Sequence, residues 1–340
     1  MKSFLQEVSL GLSKKNKKLN SKWFYDFHGS KLFEQITKLE EYYPTRTERK
    51  ILRDNKIEIA NKIGKSAVLV EPGAGDIKKI AIFLGSLDKP KKYIPLDISE
   101  DYITKISKGF RRKFPNVAIT PKAYDFSRNN KPPFKVNSSE NIVIFFPGST
   151  LGNFEKKDAI KFLKMLKLKF KAKMIIIGVD LVKDIPTLIS AYDDKKGVTA
   201  KFNKNILRRI NTELGGNIDL NSYKHLAIYN KSKKRIEMRL KCKKNNNMKQ
   251  IVKKTIKVKI ENLNPIVSTK IPPIKKPNPF VVFFNPVNHE THLNKIPSPF
   301  PDTIFIADFE DVFVISFAIP HNPCANIIQI TERYRSHEGE

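Results

Sequence analysis

Residues 68–76 read VLVEPGAGD, and a second apolar run closes about twenty residues later at Pro95-Leu96-Asp97. No other feature of the chain restricts its fold as much. A short apolar strand ends in an acid, enters a Gly-x-Gly turn and continues into an amphipathic helix beginning near Ile77. Glycine lets the backbone turn sharply and pass close to a ligand, and an acid closing the next strand can hold both hydroxyls of a ribose. The layout suits a nucleoside cofactor. The third glycine of the dinucleotide fingerprint is missing, because Lys78 stands three residues after Gly75. The loop therefore fits the adenosyl and methionyl parts of S-adenosylmethionine better than a pyrophosphate. A tight strand-to-helix turn in another kind of α/β protein would satisfy the same residues.

The pattern downstream of the turn supports a parallel sheet. Strands are expected at 67–71, 92–97, 117–121, 142–147 and 174–179, with helices between them, including 100–114 and 157–170. This alternation reads as a doubly wound unit of the Rossmann kind, whose ligands sit at the carboxyl ends of the strands. Glu71, Asp97, Asp125 and Asn153 all follow strands and are expected to gather on that edge. Upstream, helical spacing marks 4–12 and 30–39. Thr45-x-x-Glu48 reads as a capping box opening one long helix that Gly64 ends near Ile63. Beyond the sheet pattern, 199–214 is an expected helix stopped by Gly215 and Gly216, and 223–229 with 235–241 an expected hairpin.

The last quarter has a different character. No glycine occurs from Asn217 through Glu338, and eleven of the 21 prolines fall from Pro265 onward. IPPIKKPNPF is compatible with a polyproline-like linker, while FVVFFNPV, TIFIADF and DVFVISFAI have the composition of strands. A divergent tail, a novel domain and a shifted reading frame all fit this composition. The expected division is a cofactor-binding domain at 46–182, a substrate-binding subdomain from 1–45 and 183–250, and an atypical tail at 251–340 that either completes the sheet or is poorly ordered.

Composition narrows the rest. Forty per cent apolar residues indicate a globular chain, and no apolar run reaches the roughly 18 residues of a membrane span. The N-terminal stretch lacks a small-residue cleavage site, so a cytoplasmic protein is expected. Cys242 and Cys324 are too few for a disulfide scaffold or a metal cluster. The formal charge of +30 raises the prospect of a polyanionic partner. Lysine is spread over nearly every segment, however, with little aromatic interleaving, so nucleic acid is not the expected partner.

Several blocks resemble the histidine Nα-methyltransferases of ergothioneine biosynthesis. WFYDFHGSKLFEQITKLEEYYPTRTE (23–48) is similar to the opening signature of that family. The similarity continues through EPGAGD (71–76), PLDIS (95–99), PGSTLGNF (147–154), GVDLVKD (178–184), AYDDKKGVTAKFNKNIL (191–207) and RIEMRL (235–240). The resemblance implies a Rossmann-like class I methyltransferase sheet with an added substrate subdomain. It also implies S-adenosyl-L-methionine as cofactor, L-histidine as substrate and trimethylation of the α-amine to hercynine.

By the same resemblance Tyr25, Gly73, Lys79 and Asp97 line the cofactor, Asp97 at the ribose, with Asp125 and Phe126 at the adenine. Tyr42, Asn153 and Tyr192 hold the histidine, and phenols and an amide can bind it without adding fixed charge. Tyr25 is also the candidate to relay the amine proton. No metal is implied, and a monomer is expected. The chain departs from the family pattern in one place: the C-terminal Thr-Glu-x-Ser type element that grips the imidazole is not found, and Glu261 and Ser268 do not have its spacing. Read from the residues alone, Tyr25 and Tyr42 also suit half-buried aromatics, Asn153 a turn, Tyr192 a helix surface, Lys79 a helix-face cation and Asp125 a helix cap. His28 and His225 are read as structural. Methylation of another amino acid or of nucleic acid, and a catalytically impaired cofactor-binding homologue, are the competing functions.

Overall fold

The computed structural model describes residues 4–14, 16–75, 77–98, 100–125 and 131–243, and the backbone of three later strands. In chain order the first elements are α1 (Phe4–Ser13), α2 (Phe27–Ile36), α3 (Tyr43–Asp54), α4 (Lys56–Ile63), β1 (Val68–Pro72), α5 (Ile80–Leu84) and β2 (Lys92–Asp97). Then come α6 (Glu100–Lys113), β3 (Ala118–Ile119), β4 (Lys122–Ala123), β5 (Ile142–Phe146), α7 (Lys156–Phe170), β6 (Met174–Asp180), α8 (Ile185–Ser190) and α9 (Val198–Leu214). The hairpin β7 (Tyr223–Asn230) and β8 (Arg235–Cys242) precedes β9 (Phe280–Phe283), β10 (Asp302–Asp308) and β11 (Ile315–Ala318). The chain divides into two compact units, residues 44–181 with 289–340 and residues 1–43 with 182–288.

The first unit holds a sheet of order β11-β10-β6-β5-β1-β2-β3, with β4 also paired to β2. From β6 through β3 the neighbours are parallel, while β10 runs antiparallel to β6 and β11 antiparallel to β10. Every residue of β1 and β5 is buried, the mark of strands covered on both faces. Ile51, Leu52, Ile59, Phe83, Tyr93, Val143, Phe145 and Ile176 join helices to strands in one core. Strand order reverses at β1, between β2 and β5, which is where open sheets of this kind bind ligands. This is the expected Rossmann-like α/β architecture, and β10 and β11 show that part of the atypical tail extends the sheet.

The second unit packs α1, α2 and α9 against the sheet β7-β8-β9. Asp26 caps α2 by accepting from the Gly29 amide at 2.7 Å, and Asn205 of α9 donates to the same oxygen at 2.7 Å. One carboxylate oxygen thus starts a helix and ties it to its neighbour. β8 sets its side chains on alternate faces: Ile236, Met238 and Leu240 are buried on one, where Met238 and Leu240 join the helical core, and Arg235 and Glu237 are buried on the other. There, Arg235 and Arg239 both bond the carboxylate of Glu237.

Several elements differ from expectation. The single helix to Ile63 is two, divided where Asn55 leaves helical geometry with φ −109° and ψ 12°; its backbone and side-chain amides both donate to the Ile51 carbonyl, at 3.1 and 2.8 Å. The capping box does not form. Thr45 already lies inside α3, and the Glu48 carboxylate turns to Gly148 and Lys79 instead. The helix after the glycine turn begins at Ile80, behind a turn over 77–79. The strand expected at 117–121 is split into β3 and β4. Phe126, Glu261, Ser268 and Cys324, with the linker-like IPPIKKPNPF except Phe280, lie outside the described residues. Among the described residues no helix is long and apolar enough to cross a membrane, and no group of acids, histidines and cysteines could hold a metal ion.

Candidate active site

In the parallel-sheet unit the candidate residues collect at the carboxyl ends of the strands. β1 leads into Gly73, whose φ of +73° lies in the left-handed region open to glycine. The amides of Gly73 and Ala74 both donate to the Leu96 carbonyl, at 2.8 and 3.0 Å, which ties the turn to the end of β2. Asp97 is the last residue of β2 and half-buried, and its carbonyl accepts from Tyr124 at 2.7 Å. Asp125 follows directly. Burial, and then the charge of Asp125, push the Tyr124 phenol up. Glu71 is inside β1 and buried, and its carboxylate accepts from the Tyr93 hydroxyl at 2.5 Å.

The end of β5 is more tightly wound. Gly148 and Ser149 both have positive φ, +85° and +54°. The Ser149 amide donates to the Gly178 carbonyl at 3.1 Å, and its hydroxyl accepts from the Asp180 amide at 2.9 Å, so β6 holds the turn. A non-glycine residue in this conformation costs about 1–3 kcal/mol and persists where the surroundings over-determine it. The turn delivers Asn153, whose Oδ1 is buried without a hydrogen-bond partner among the described residues. A buried amide oxygen left unpaired is costly, on the order of 1–3 kcal/mol, unless a ligand N–H completes it.

Lys79 is the N-cap residue of α5, and its ammonium pairs with Glu48 Oε2 at 2.5 Å. Glu48 Oε1 accepts from the Gly148 amide at 2.7 Å. Sequence reasoning missed Glu48 because its spacing from Thr45 matches a helix-capping signal.

The second unit holds Tyr25, Tyr42 and Tyr192. Tyr42 and Tyr192 meet edge to face, with ring centroids 5.9 Å apart. Together with Phe33, Ile36, Thr199, Phe202 and Met238 they line a small recess of about 10 Å³. None of these lining side chains carries a charge. Tyr25 packs edge-on against Phe33 and Phe202, at 5.5 and 5.4 Å, and burial pushes its phenol well above the ordinary tyrosine range. Phe33, Phe202, Thr199 and Met238 escaped sequence reasoning because each also fits an ordinary core position. His225 is structural: its buried ring bridges Asn203 and the Tyr192 carbonyl, at 2.8 Å each. His28 is exposed.

The donor set of the parallel-sheet unit fits S-adenosylmethionine. An acid at the end of β2 suits a ribose, a buried cation suits the methionyl carboxylate, and the glycine turn at the switch point allows close approach. The chain matches the model of the family described as "Histidine-specific methyltransferase, SAM-dependent" over residues 4–270. It is 37% identical over 243 residues to a histidine N-alpha-methyltransferase of Mycolicibacterium smegmatis, covering 70% of this chain and 74% of that protein. Over 241 residues it is 36% identical to the protein of the same name from Mycobacterium tuberculosis, covering 70% and 74%. Ergothioneine biosynthesis protein 1 of Neurospora crassa is 34% identical over 197 residues, which is 56% of this chain and 22% of that one. A glycine turn and a terminal acid on adjoining parallel strands, and a family match spanning both units, lead to one conclusion: the chain belongs to the histidine-specific, S-adenosylmethionine-dependent methyltransferases.

Proposed function

We propose that this enzyme transfers methyl groups from S-adenosylmethionine to the α-amine of L-histidine, ending at the trimethylated product. The observation that carries this reading is the unpaired amide oxygen of Asn153 at the end of β5, in a chain of a histidine-specific family. An amide oxygen accepts from an amine or imidazole N–H without adding a fixed charge.

The roles follow from the side-chain chemistry. Asp97 accepts from the ribose hydroxyls, and Lys79 meets the methionyl carboxylate. The turn at Gly73 lets the backbone pass close to the cofactor, and Asp125 with Phe126 serves the adenine. When bound, S-adenosylmethionine supplies an electrophilic sulfonium methyl group. Tyr42 and Tyr192 offer phenols and ring faces in an uncharged recess, and aromatic faces favour an amine that becomes a quaternary cation. Burial disfavours the Tyr25 phenolate, so Tyr25 keeps its proton and serves as a relay, through hydroxyl and water, rather than as an anionic base. Holding the amine in line for attack supplies much of the rate, of order 7–11 kcal/mol in favourable cases.

The regiochemistry tests the reading. Proton spectra of the product should show all added methyl groups on the α-nitrogen, with both imidazole nitrogens unmodified. Methylation of the ring would overturn it.

A further inference from the structure

Glu48 makes a pair of contacts that the residues with proposed roles do not explain. Its side chain is 10% exposed and that of Lys79 11%, so this is a largely buried ion pair. Two glycines leave room for it. A Cβ on Gly178 would stand 1.8 Å from Glu48 Oε1, and a Cβ on Gly148, whose φ is +85°, would stand 3.2 Å from Lys79 Nζ. Helix α3, the start of α5, the end of β5 and β6 therefore converge on one carboxylate. Burying two charges seldom stabilises a fold better than apolar side chains of the same volume would. Stability alone is thus a weak reason for the pair, and its place beside the carboxyl ends of parallel strands is where an open α/β sheet takes its ligand.

We infer that Glu48 is a positioning residue: it holds the Lys79 ammonium in place for the α-carboxylate of the cofactor's methionyl group. One oxygen of Glu48 sets the cation. The other sets the Gly148 amide, the first step of the turn that carries Asn153. The inference rests on the cofactor reading proposed for this site and adds a residue to which that reading gives no role.

The test uses the full-length chain as wild type, Glu48→Gln, Lys79→Met and the double variant. Calorimetry would measure two ligands, S-adenosylhomocysteine and 5′-methylthioadenosine, which lacks the amino-acid portion. The glutamine side chain keeps an acceptor for the Gly148 amide and loses only the charge facing Lys79. The expected result is a loss of about tenfold in S-adenosylhomocysteine affinity for Glu48→Gln, within the range of coupled neighbours. Affinity for 5′-methylthioadenosine should be unchanged. In the Lys79→Met background, Glu48→Gln should have no further effect on either ligand. Equal weakening of both ligands, additivity with Lys79→Met, or unchanged S-adenosylhomocysteine affinity would each overturn the inference. Failure of the wild-type chain to bind S-adenosylhomocysteine would instead overturn the underlying cofactor reading, and the inference with it.

Discussion

His225 donates from Nε2 to the Tyr192 carbonyl at 2.8 Å, so a buried imidazole holds the backbone of a residue that lines the aromatic recess. Its Nδ1 accepts from the Asn203 amide at 2.8 Å. A second bond from the same Asn203 nitrogen to the Arg239 carbonyl, at 3.1 Å, fixes how that amide faces. The proton therefore sits on Nε2.

Burial lowers the pKa of this ring below 6.5, outweighing the upward pull of the Tyr192 hydrogen bond and of Asp193 and Asp194; Lys204 adds to the lowering. Just below pH 6.5 the unfolded chain binds more protons at His225 than the folded chain, so stability rises with pH there. The contribution of the neutral ring is complete above 6.5 and is lost as the pH falls toward the folded value. Thermal unfolding between about pH 7 and pH 5.5 should show Tm dropping more steeply in the wild type than in His225→Gln. The Gln side chain can keep both hydrogen bonds without titrating. Identical slopes would exclude the ring as a source of acid sensitivity.

Asn153→Ala removes the amide assigned to the substrate. KM for L-histidine should rise by roughly tenfold or more, on the order of 1–3 kcal/mol, while affinity for S-adenosylhomocysteine stays within about twofold. Steady-state kinetics beside calorimetry separate the two. Unchanged kinetics would remove Asn153 from the site.

Gly178→Ala places a methyl group where the Glu48 carboxylate now lies. The side chain must move or β6 must shift, with an expected loss of about 1–3 kcal/mol of stability. Denaturant unfolding should show the midpoint falling with little change in slope. A variant as stable as the wild type would mean that the Glu48 carboxylate does not occupy this space.

Tyr25→Phe keeps the ring contacts to Phe33 and Phe202 and loses the hydroxyl. If the phenol relays the amine proton, kcat should fall roughly tenfold with Tm nearly constant, less than the 10²–10⁴ of a full general base. A Tm loss with kcat intact would make Tyr25 a packing residue only.

The sheet was legible in the sequence because buried parallel strands are continuous apolar runs. The runs ending at Pro72, Asp97, Phe146 and Asp180 are β1, β2, β5 and β6. Side-chain competition was not legible. Nothing in the pattern around Asn55 shows that the helix will break there, or that Glu48 will bond a residue one hundred positions away rather than cap its own helix. The recess around Tyr42 and Tyr192 was half legible. The tyrosines stand in recognisable blocks, whereas Phe202 and Met238 look like any residue on a buried face. The antiparallel pairing of β10 with β6, from Thr303 opposite Val179 to Ala307 opposite Ile175, depends on partners far apart in the chain that local composition cannot name.

The most direct test of histidine methylation is to incubate the full-length chain with S-adenosylmethionine and L-histidine and follow the mass of the amino acid. Successive gains of one, two and three methyl groups are expected, dependent on both reactants. Unmodified histidine, from a chain shown by calorimetry to bind S-adenosylhomocysteine, would contradict the proposed activity.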